Sequence, residues 1–346
     1  MAVLRVGIEH EFVFADEAGR YLDADNSRYS TFSEIVDNFP TFAGDDAVFD
    51  CKSLEHYPKR CYVEGFERHD REGRSLETLP KGLEIRTLPH ASADGVIAEF
   101  RRSYAEAMRL AGRAGLSAVL TSRHPFKTSL AFDARLGDEE RKVRSEAQLA
   151  LARSAMFTHG INVNVSLAGR PVEKMLGLVE KINYYAPVLI PWSFSSPFYE
   201  GKAFDGLCCR NYFRAHSRRM ADLHLRRGVY VLEFRGFDAC GDAQLLAAVL
   251  KLFCGFLLDE SLPGKAPQQD PERLKLSSLR GFDDPSLRQE GQSVLRAARA
   301  ALNGGGEAFD LLGAMLREND SYAARMKSRY AETGCIMDCI SGQYSY

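Results

Sequence analysis

Four stretches of the chain alternate apolar and polar residues, which is the period of a β-strand with one buried face. They cover residues 4–14, 82–88, 161–167 and 229–238. In the first stretch only His10 interrupts the apolar face, and we interpret it as a hydrogen-bonded core histidine. These patterns predict a sheet with one apolar face and one polar face.

Six other stretches repeat apolar residues at three- and four-residue spacings, which indicates amphipathic helices. The predicted helices cover residues 93–113, 138–155, 172–189, 243–259, 285–302 and 307–330. Ser92 directly precedes the first of them and is its predicted N-cap.

The patterned stretches together predict a single α+β domain over residues 1–346, with a helical C-terminal part at about 243–330. Residues 15–80 are rich in Asp, Gly, Pro and aromatic residues without a clean period, so we expect a loop-rich insertion there. Residues 263–271 read as a loop.

The polar faces of the four strands carry glutamate, asparagine and arginine, with no lysine among the positions that define them. These positions are Glu9, Glu11, Glu84, Arg86, Asn162, Asn164, Glu233 and Arg235. A solvated face explains any single strand equally well. If the strands share one sheet, however, four glutamates converge, repel one another and need cations nearby.

The side chains of this face offer only oxygen donors to a metal. Carboxylate and amide oxygens favour Mg²⁺ or Mn²⁺ over zinc. Arg86 and Arg235 add planar guanidinium groups that bind phosphate or carboxylate. Metal, arginine and carboxylate together are typical of phosphoryl transfer. Because the sequence contains no P-loop and no kinase-type glycine loop, we expect a nucleotide to be held by the sheet and its metals.

The net charge and the cysteine content indicate which binding partners and which cellular compartment to expect. The net charge of −2 and pI of about 6.5 give no reason to expect nucleic acid or an anionic membrane. The chain enters a strand at Leu4, so no signal peptide is expected, and no apolar run is long enough to span a bilayer. Eight cysteines without zinc-site spacing indicate reduced thiols and a cytoplasmic protein.

Five short motifs, in order from about residue 7 to residue 238, resemble those of a known family. They are Gly7-Ile8-Glu9-His10-Glu11-Phe12, Leu83-Glu84-Ile85-Arg86-Thr87, Arg123-His124-Pro125-Phe126, Ser195-Ser196-Pro197-Phe198 followed by Gly201 and Arg210, and Glu233-Phe234-Arg235 followed by Asp238. On these motifs the chain resembles the bacterial glutamate–cysteine ligase-like carboxylate–amine ligases, which share the catalytic fold of glutamine synthetase.

The resemblance implies a glutamine synthetase-like fold: a curved, mainly antiparallel sheet with helices packed on its outer face and a cleft on the inner one. It also implies roles for the polar residues. The metal ligands would be Glu9, Glu11, Glu84 and Glu233, the catalytic arginines Arg235 and Arg86, the substrate-binding residue Arg210, and the nucleotide-binding residues Asn162, Asn164 and His124.

One departure from the family lies in the third strand. The family usually has His-Val-His-Val where this chain has Asn162-Val163-Asn164-Val165. Asparagine offers an oxygen to a metal or a donor to phosphate, but it takes up no proton near neutral pH. Plant-type glutamate–cysteine ligases carry a Gln/Asn version of this strand, so the change need not abolish activity.

The expected reaction is ATP-dependent amide formation between a carboxylate, the γ-carboxylate of glutamate first, and a small amine such as cysteine. The partners are then ATP, Mg²⁺ or Mn²⁺ and the two small molecules, and family habit suggests a homodimer. Two alternatives stay open: a small-molecule kinase that uses the same sheet, and a non-catalytic relative that only binds. The sequence does not name the amine.

Overall fold

The computed structural model describes residues 4–50, 54, 57–70, 72, 74–130, 144–217, 219–304 and 306–346. Its strands are β1 Leu4–Ala15, β2 Cys61–His69, β3 Ser75–Arg86, β4 Ser117–Val119, β5 Ile161–Leu167, β6 Phe198–Tyr199, β7 Lys202–Ala203, β8 Ala221–Arg226 and β9 Val229–Phe237. Six of them form the order β2-β3-β1-β5-β9-β8, and β4 also pairs with β1. All of these pairs are antiparallel, and the sheet is curled. The two-residue strands β6 and β7 pair with each other.

The helices in the described part of the chain lie mostly in its C-terminal half. They are α1 Tyr29–Asn38, α2 Asp45–Val48, α3 Ala93–Arg113, α4 Glu146–Met156, α5 Val172–Leu189, α6 Cys209–Arg214, α7 Ala243–Leu258, α8 Pro271–Arg280, α9 Pro285–Ala301, α10 Gly306–Glu318, α11 Tyr322–Thr333 and α12 Ile336–Ile340. None of these helices combines the length and the apolar character needed to cross a bilayer.

The apolar face of the sheet forms one continuous core with the helices behind it. α3 contacts β1 and β3, and α5 contacts β8 and β9. From α7, the Phe253 ring stacks on Phe234 of β9 with centroids 4.9 Å apart. The expected helices on the outer face are therefore present. α4 is an exception, because it packs against β2 and its end reaches the polar face.

Several predicted elements match the structure closely. α3 and α5 have the predicted bounds, and the Ser92 side chain accepts a hydrogen bond from Gly95 N as an N-cap. The predicted helix 307–330 is wrong as one element, because Asn319 has a φ of 50° and a second helix begins after Ser321. The helix α8 was missed, although its Asp270 N-cap and Pro271 start are visible in the sequence. Of the predicted helix 138–155, residues 138–143 lie outside the described residues.

The prediction of a loop-rich segment over 15–80 is only partly right. Within it, β2 and the first half of β3 form a long hairpin of the main sheet. Two register shifts in this hairpin, at Glu64/Gly65 and Arg68/His69, interrupt the alternation of side chains. A bulge destroys the period of two on which the sequence interpretation depended, and so the hairpin was not recognised.

Candidate active site

The polar face of the sheet is built from three rows of residues that face one another across neighbouring strands. The rows are Tyr62–Glu84–Glu11, Arg86–Glu9–Asn162 and Gly7–Asn164–Glu233–Asp222. Residues directly opposite in antiparallel strands place their side chains on the same face of the sheet. The predicted convergence of the four polar strands is therefore present.

A cavity of about 230 Å³ lies over this face. All four predicted metal ligands line it, together with three other predicted site residues: Glu9, Glu11, Glu84, Glu233, Asn162, Arg210 and Arg235. Ser154 and Ala155 at the end of α4, Thr158 just after it, and Arg214 of α6 close its sides. The structure thus brings together residues that are more than two hundred positions apart in the sequence.

Burial raises the pKa of two of the glutamates, Glu84 and Glu9. Glu84 is 3% exposed, and burial raises its pKa well above the usual range, with a further increase from Glu9, Glu64 and Glu11. The Tyr62 hydroxyl donates a hydrogen bond to Glu84. A cation at this position would permit neighbouring carboxylates to be ionised together.

Glu9 has a raised pKa for the same main reason, with the charge of Glu233 as the second cause. The Asn162 side-chain amide donates to Glu9 Oε2 at 3.2 Å, and this hydrogen bond acts in the opposite direction. Asn162 of β5 therefore holds a cavity carboxylate in place.

Sequence reasoning missed two charged residues of the cavity, Glu64 and Lys81. One carboxylate oxygen each of Glu11, Glu64 and Glu84 lies within 4.8 Å of the others. Lys81 Nζ is 2.8 Å from Glu11 Oε1 and 3.8 Å from Glu64 Oε1. It also donates to the carbonyl oxygens of Ala155 and Thr158, at 3.1 and 2.9 Å.

The position of Lys81 follows from the β2–β3 bulge. The pairing passes from Glu64–Gly82 directly to Gly65–Pro80, so Lys81 is the extra residue and departs from strict alternation. Gly82 has a φ of 153°, and a Cβ there would lie 1.9 Å from the Phe12 carbonyl oxygen. The Pro80-Lys81-Gly82 sequence was the available signal, since both flanking residue types mark irregular strands.

Arg235 lies at the cavity with its guanidinium fixed by acidic neighbours. Its Nε and Nη2 each donate to Glu233, both at 2.8 Å, and Nη1 donates to Asp222. His224 Nε2 is 3.0 Å from Glu233 Oε2. Nearby carboxylates raise the pKa of Arg235 although burial opposes this, so the side chain is held as a cation.

Arg210 is buried and its guanidinium is mostly occupied by the protein itself. Nη1 donates to Phe237 O at 3.1 Å and to Asp238 Oδ1 at 3.3 Å, while Nη2 donates to Arg235 O at 3.1 Å. A Cβ on Gly160 would lie 2.4 Å from Nη2, so the close approach requires glycine. Its contact with a substrate carboxylate stays a prediction.

Arg86 lies beside Glu9 in the sheet but is not among the residues that line the cavity. Its guanidinium stacks over the rings of Phe49 and Tyr62, at 4.3 and 4.8 Å, and Nε donates to the Lys59 carbonyl at 2.9 Å. These contacts fix the Tyr62 ring that donates to Glu84. In the structure, Arg86 therefore positions Tyr62, which in turn holds Glu84.

His124 is also set apart from the cavity lining. Its Nε2 lies 3.0 Å from Asp23 Oδ2, and its Nδ1 accepts from the amides of Phe126 and Lys127. Burial lowers its pKa. These contacts order the turn after residue 123, and a nucleotide contact for His124 stays a prediction.

His10 and two of the cysteines are buried and lie in positions that suit packing and hydrogen bonding. His10 is fully buried, and in its neutral form Nδ1 donates to Glu11 O while Nε2 accepts from Cys240 N, so the core interpretation is confirmed. Cys208 and Cys209 are buried too, and burial raises the pKa of both thiols. A raised pKa disfavours the thiolate that nucleophilic catalysis needs.

The donor set fits a hard divalent cation. The candidate ligands are carboxylates, and next to Glu233 in the sheet the buried Asn164 Oδ1 has no hydrogen-bond partner among the described residues. Buried acceptors without a partner are uncommon in folded proteins. Carboxylate and amide oxygens are the donors that Mg²⁺ and Mn²⁺ prefer, and Asn164 itself is not among the residues that line the cavity.

Comparisons of the sequence and of the fold with known proteins both find ligases of the glutamate–cysteine type. A family model described as "Glutamate-cysteine ligase family 2 (GCS2)" matches residues 5–221, a range that ends before β9. A Streptomyces avermitilis protein named "Putative glutamate--cysteine ligase 2-1" is 32% identical over 122 residues, which are 35% of this chain and 32% of that protein. The aligned part thus spans about a third of that relative.

Two solved structures resemble nearly the whole chain. A bifunctional glutathione synthetase from Pasteurella multocida has a TM-score of 0.62 at 11% identity, over 98% of this chain and 51% of that one. A glutamate–cysteine ligase from Francisella tularensis, in complex with AMP, has a TM-score of 0.57 at 13% identity, over 98% and 88% of the two chains. At these identities the likeness concerns the fold.

Proposed function

Because the chain belongs to glutamate–cysteine ligase family 2, we propose that it is an ATP-dependent ligase that joins a carboxylate to a small amine. The observation that carries this proposal is the cavity in which Glu9, Glu11, Glu84 and Glu233 converge beside Arg235. A carboxylate-rich cleft with an adjacent arginine suits the transfer of a phosphoryl group between two anions.

The glutamates of the cavity would hold Mg²⁺ or Mn²⁺, with Glu64 as an additional candidate ligand. When bound, such ions neutralise the negative charge of a triphosphate. Tyr62 and Asn162 hold Glu84 and Glu9 by hydrogen bonds, and this fixes the direction of the ligand oxygens. Supporting contacts of this kind are a common requirement of metal sites.

In the proposed reaction, a substrate carboxylate attacks the γ-phosphate of ATP and releases ADP. The amine then attacks the resulting acyl phosphate, and phosphate leaves as the amide forms. Arg235 is the residue that we assign to the charge on the transferred group, because its fixed cationic guanidinium lines the cavity. The side walls formed by α4 and α6 would limit the access of water, which would otherwise hydrolyse the acyl phosphate.

The substrate class follows from the family and is part of the proposal. Glutamate, through its γ-carboxylate, is the first carboxylate to test, and cysteine is the first amine. Arg210 and Arg214 line the same cavity and are the candidate partners of a substrate carboxylate. Asn162 and Asn164, where the family usually has histidines, leave β5 without a side chain that titrates near neutral pH.

The direct test is a hydroxamate assay with the purified chain, ATP, Mg²⁺, a panel of carboxylates and hydroxylamine as the amine. We expect ADP and a hydroxamate to form in equal amounts, with glutamate among the productive carboxylates. A mass-spectrometric screen of the same reaction with glutamate and natural amines then identifies the second substrate.

The same assay separates the alternatives. ADP formation that needs no amine and ends in a phosphorylated product would replace the ligase by a kinase of the same fold. Mg²⁺-dependent ATP binding without turnover across the whole panel would favour a non-catalytic relative. Absence of both hydroxamate and ADP would remove the ligase proposal.

A further inference from the structure

Lys81 places an ammonium group inside the carboxylate cluster to which divalent ions are assigned above. Its side chain is 5% exposed and makes an ion pair of 2.8 Å with Glu11. Glu64, the second carboxylate near it, belongs with Glu11 and Glu84 to the trio of oxygens that lie within 4.8 Å of one another. The ammonium and a metal ion would therefore share the same ligands.

The backbone holds this ammonium independently of the carboxylates. The carbonyls of Ala155, in the last turn of α4, and of Thr158, two residues after its end, accept two of its three hydrogen bonds. Carbonyls at the end of a helix carry partial negative charge and favour a cation. Because these contacts do not involve Glu11 or Glu64, they keep Nζ at the cluster whether or not the carboxylates turn toward another cation.

The backbone of β3 also directs Lys81 toward the cluster. As the extra residue of the bulge it departs from the alternation that would direct it to the opposite face, and any side chain at position 82 would clash with the Phe12 carbonyl. Such a bulge re-aims one side chain at a defined site.

We propose that Lys81 is a built-in cation that competes with a divalent ion for Glu11 and Glu64, and so sets the metal affinity of the cluster. The inference rests on the proposed metal-dependent function and deepens it. A fixed positive charge a few ångströms from an ion weakens the binding of that ion. At the same time it neutralises part of the cluster when no metal is bound, which allows buried carboxylates to share the cavity.

The test is Mn²⁺ binding, measured by the electron paramagnetic resonance of free Mn²⁺ in titrations without ATP or substrate. Lys81→Met keeps the length of the side chain and removes its charge, and we expect it to tighten Mn²⁺ binding at least tenfold. Adding Glu64→Gln to that variant should reverse most of the gain. Circular dichroism establishes that each variant is folded, and Lys81→Gln serves as a second neutral variant.

Lys59→Met is the matched control. Lys59 is equally buried and donates to the carbonyls of Val36 and Asp37, outside the cavity. It should leave Mn²⁺ affinity unchanged. A gain in Lys59→Met as large as that in Lys81→Met would overturn the proposal.

Unchanged or weaker Mn²⁺ binding in folded Lys81→Met would also overturn it, while hydroxamate formation by the wild-type chain would keep the ligase function intact. If the wild type and the Lys81 variants bind no Mn²⁺, with or without ATP, both proposals fall. The two failures are therefore distinguishable.

Discussion

Glu84 is the residue on which the charge balance of the cavity depends most. It is the most buried member of the Glu11–Glu64–Glu84 trio, and three neighbouring carboxylates raise its pKa beyond the effect of burial. An uncompensated carboxylate at this depth would be costly, and the cation that we propose for the cavity would offset this cost.

Glu84→Gln should lower ligase turnover by at least about a hundredfold and raise the Mg²⁺ concentration required, because it removes a charged ligand. The hydroxamate assay at graded Mg²⁺ measures both effects. Glu77→Gln is the matched control, since Glu77 lies on the same strand, is half exposed and pairs with Arg68 at 3.1 Å. Full activity of Glu84→Gln would contradict the assignment.

His10 allows a prediction about stability against pH. Burial lowers its pKa from 6.5 to about 4. The unfolded chain therefore takes up a proton near pH 6.5 that the folded protein refuses until about pH 4. The stability that the neutral His10 contributes is fully present above pH 6.5 and is lost as the pH falls through this window. The free energy of unfolding should fall by up to about 3 kcal/mol from this cause.

Urea unfolding of the wild type and His10→Gln between pH 7 and pH 4 checks this. The variant should be less stable at pH 7, because it loses the stacking on Phe12, but its free energy of unfolding should fall less steeply with acid. Parallel curves for the two proteins would show that His10 is not the titrating group.

At the scale of single elements, the sequence predicted what has a regular period and missed what does not. β5 and α3 were located to the residue, because their side chains alternate or recur without interruption. The β2–β3 hairpin was missed together with Glu64 and Lys81, since the bulge there breaks the period. Arg86 was placed on the correct strand, but stacking on Phe49 and Tyr62 decides where its guanidinium lies, and no local pattern encodes that contact.

Gly82→Ala tests the bulge. The added Cβ would meet the Phe12 carbonyl at 1.9 Å, so the β1–β3 pairing must yield and we expect a loss of stability on the order of 3 kcal/mol. Gly112→Ala in α3 is the control: nothing lies within 4 Å of its added Cβ, and it should stabilise by about 0.5–1 kcal/mol. Urea denaturation measures both, and equal stability of the two variants would refute the steric argument.

At the scale of the whole molecule, the cavity depends on elements that are far apart in the sequence, from Glu9 of β1 to Arg235 of β9. Helices on the outer face were expected, and α3, α5 and α7 lie there. α4 was not expected at the polar face, because an amphipathic pattern identifies a helix and its buried side but not the sheet face that it meets. Residues 154–158 and Lys81 were consequently not connected in the sequence interpretation.

Ligand binding should be visible in the stability of the whole chain. If Mg²⁺-ATP occupies the cavity, a hundredfold excess over its Kd should raise Tm by roughly 4 °C for a chain of 346 residues. Differential scanning fluorimetry with Mg²⁺-ATP, Mg²⁺ alone and EDTA checks this. Glu233→Gln should abolish the shift, and a shift that persists in EDTA would place ATP elsewhere.

The rows of facing residues have a consequence for insertions and deletions. Within β5, Val163 and Val165 belong to the core, and the asparagines beside them lie on the polar face of the sheet. Loss of a single codon inside this strand would turn the downstream part over, bury amides and expose valines. A library of one-residue deletions should therefore yield insoluble protein from β5 while the exposed loops tolerate the same change, so this family member can diverge by substitution in its central strands but by length only in its connections.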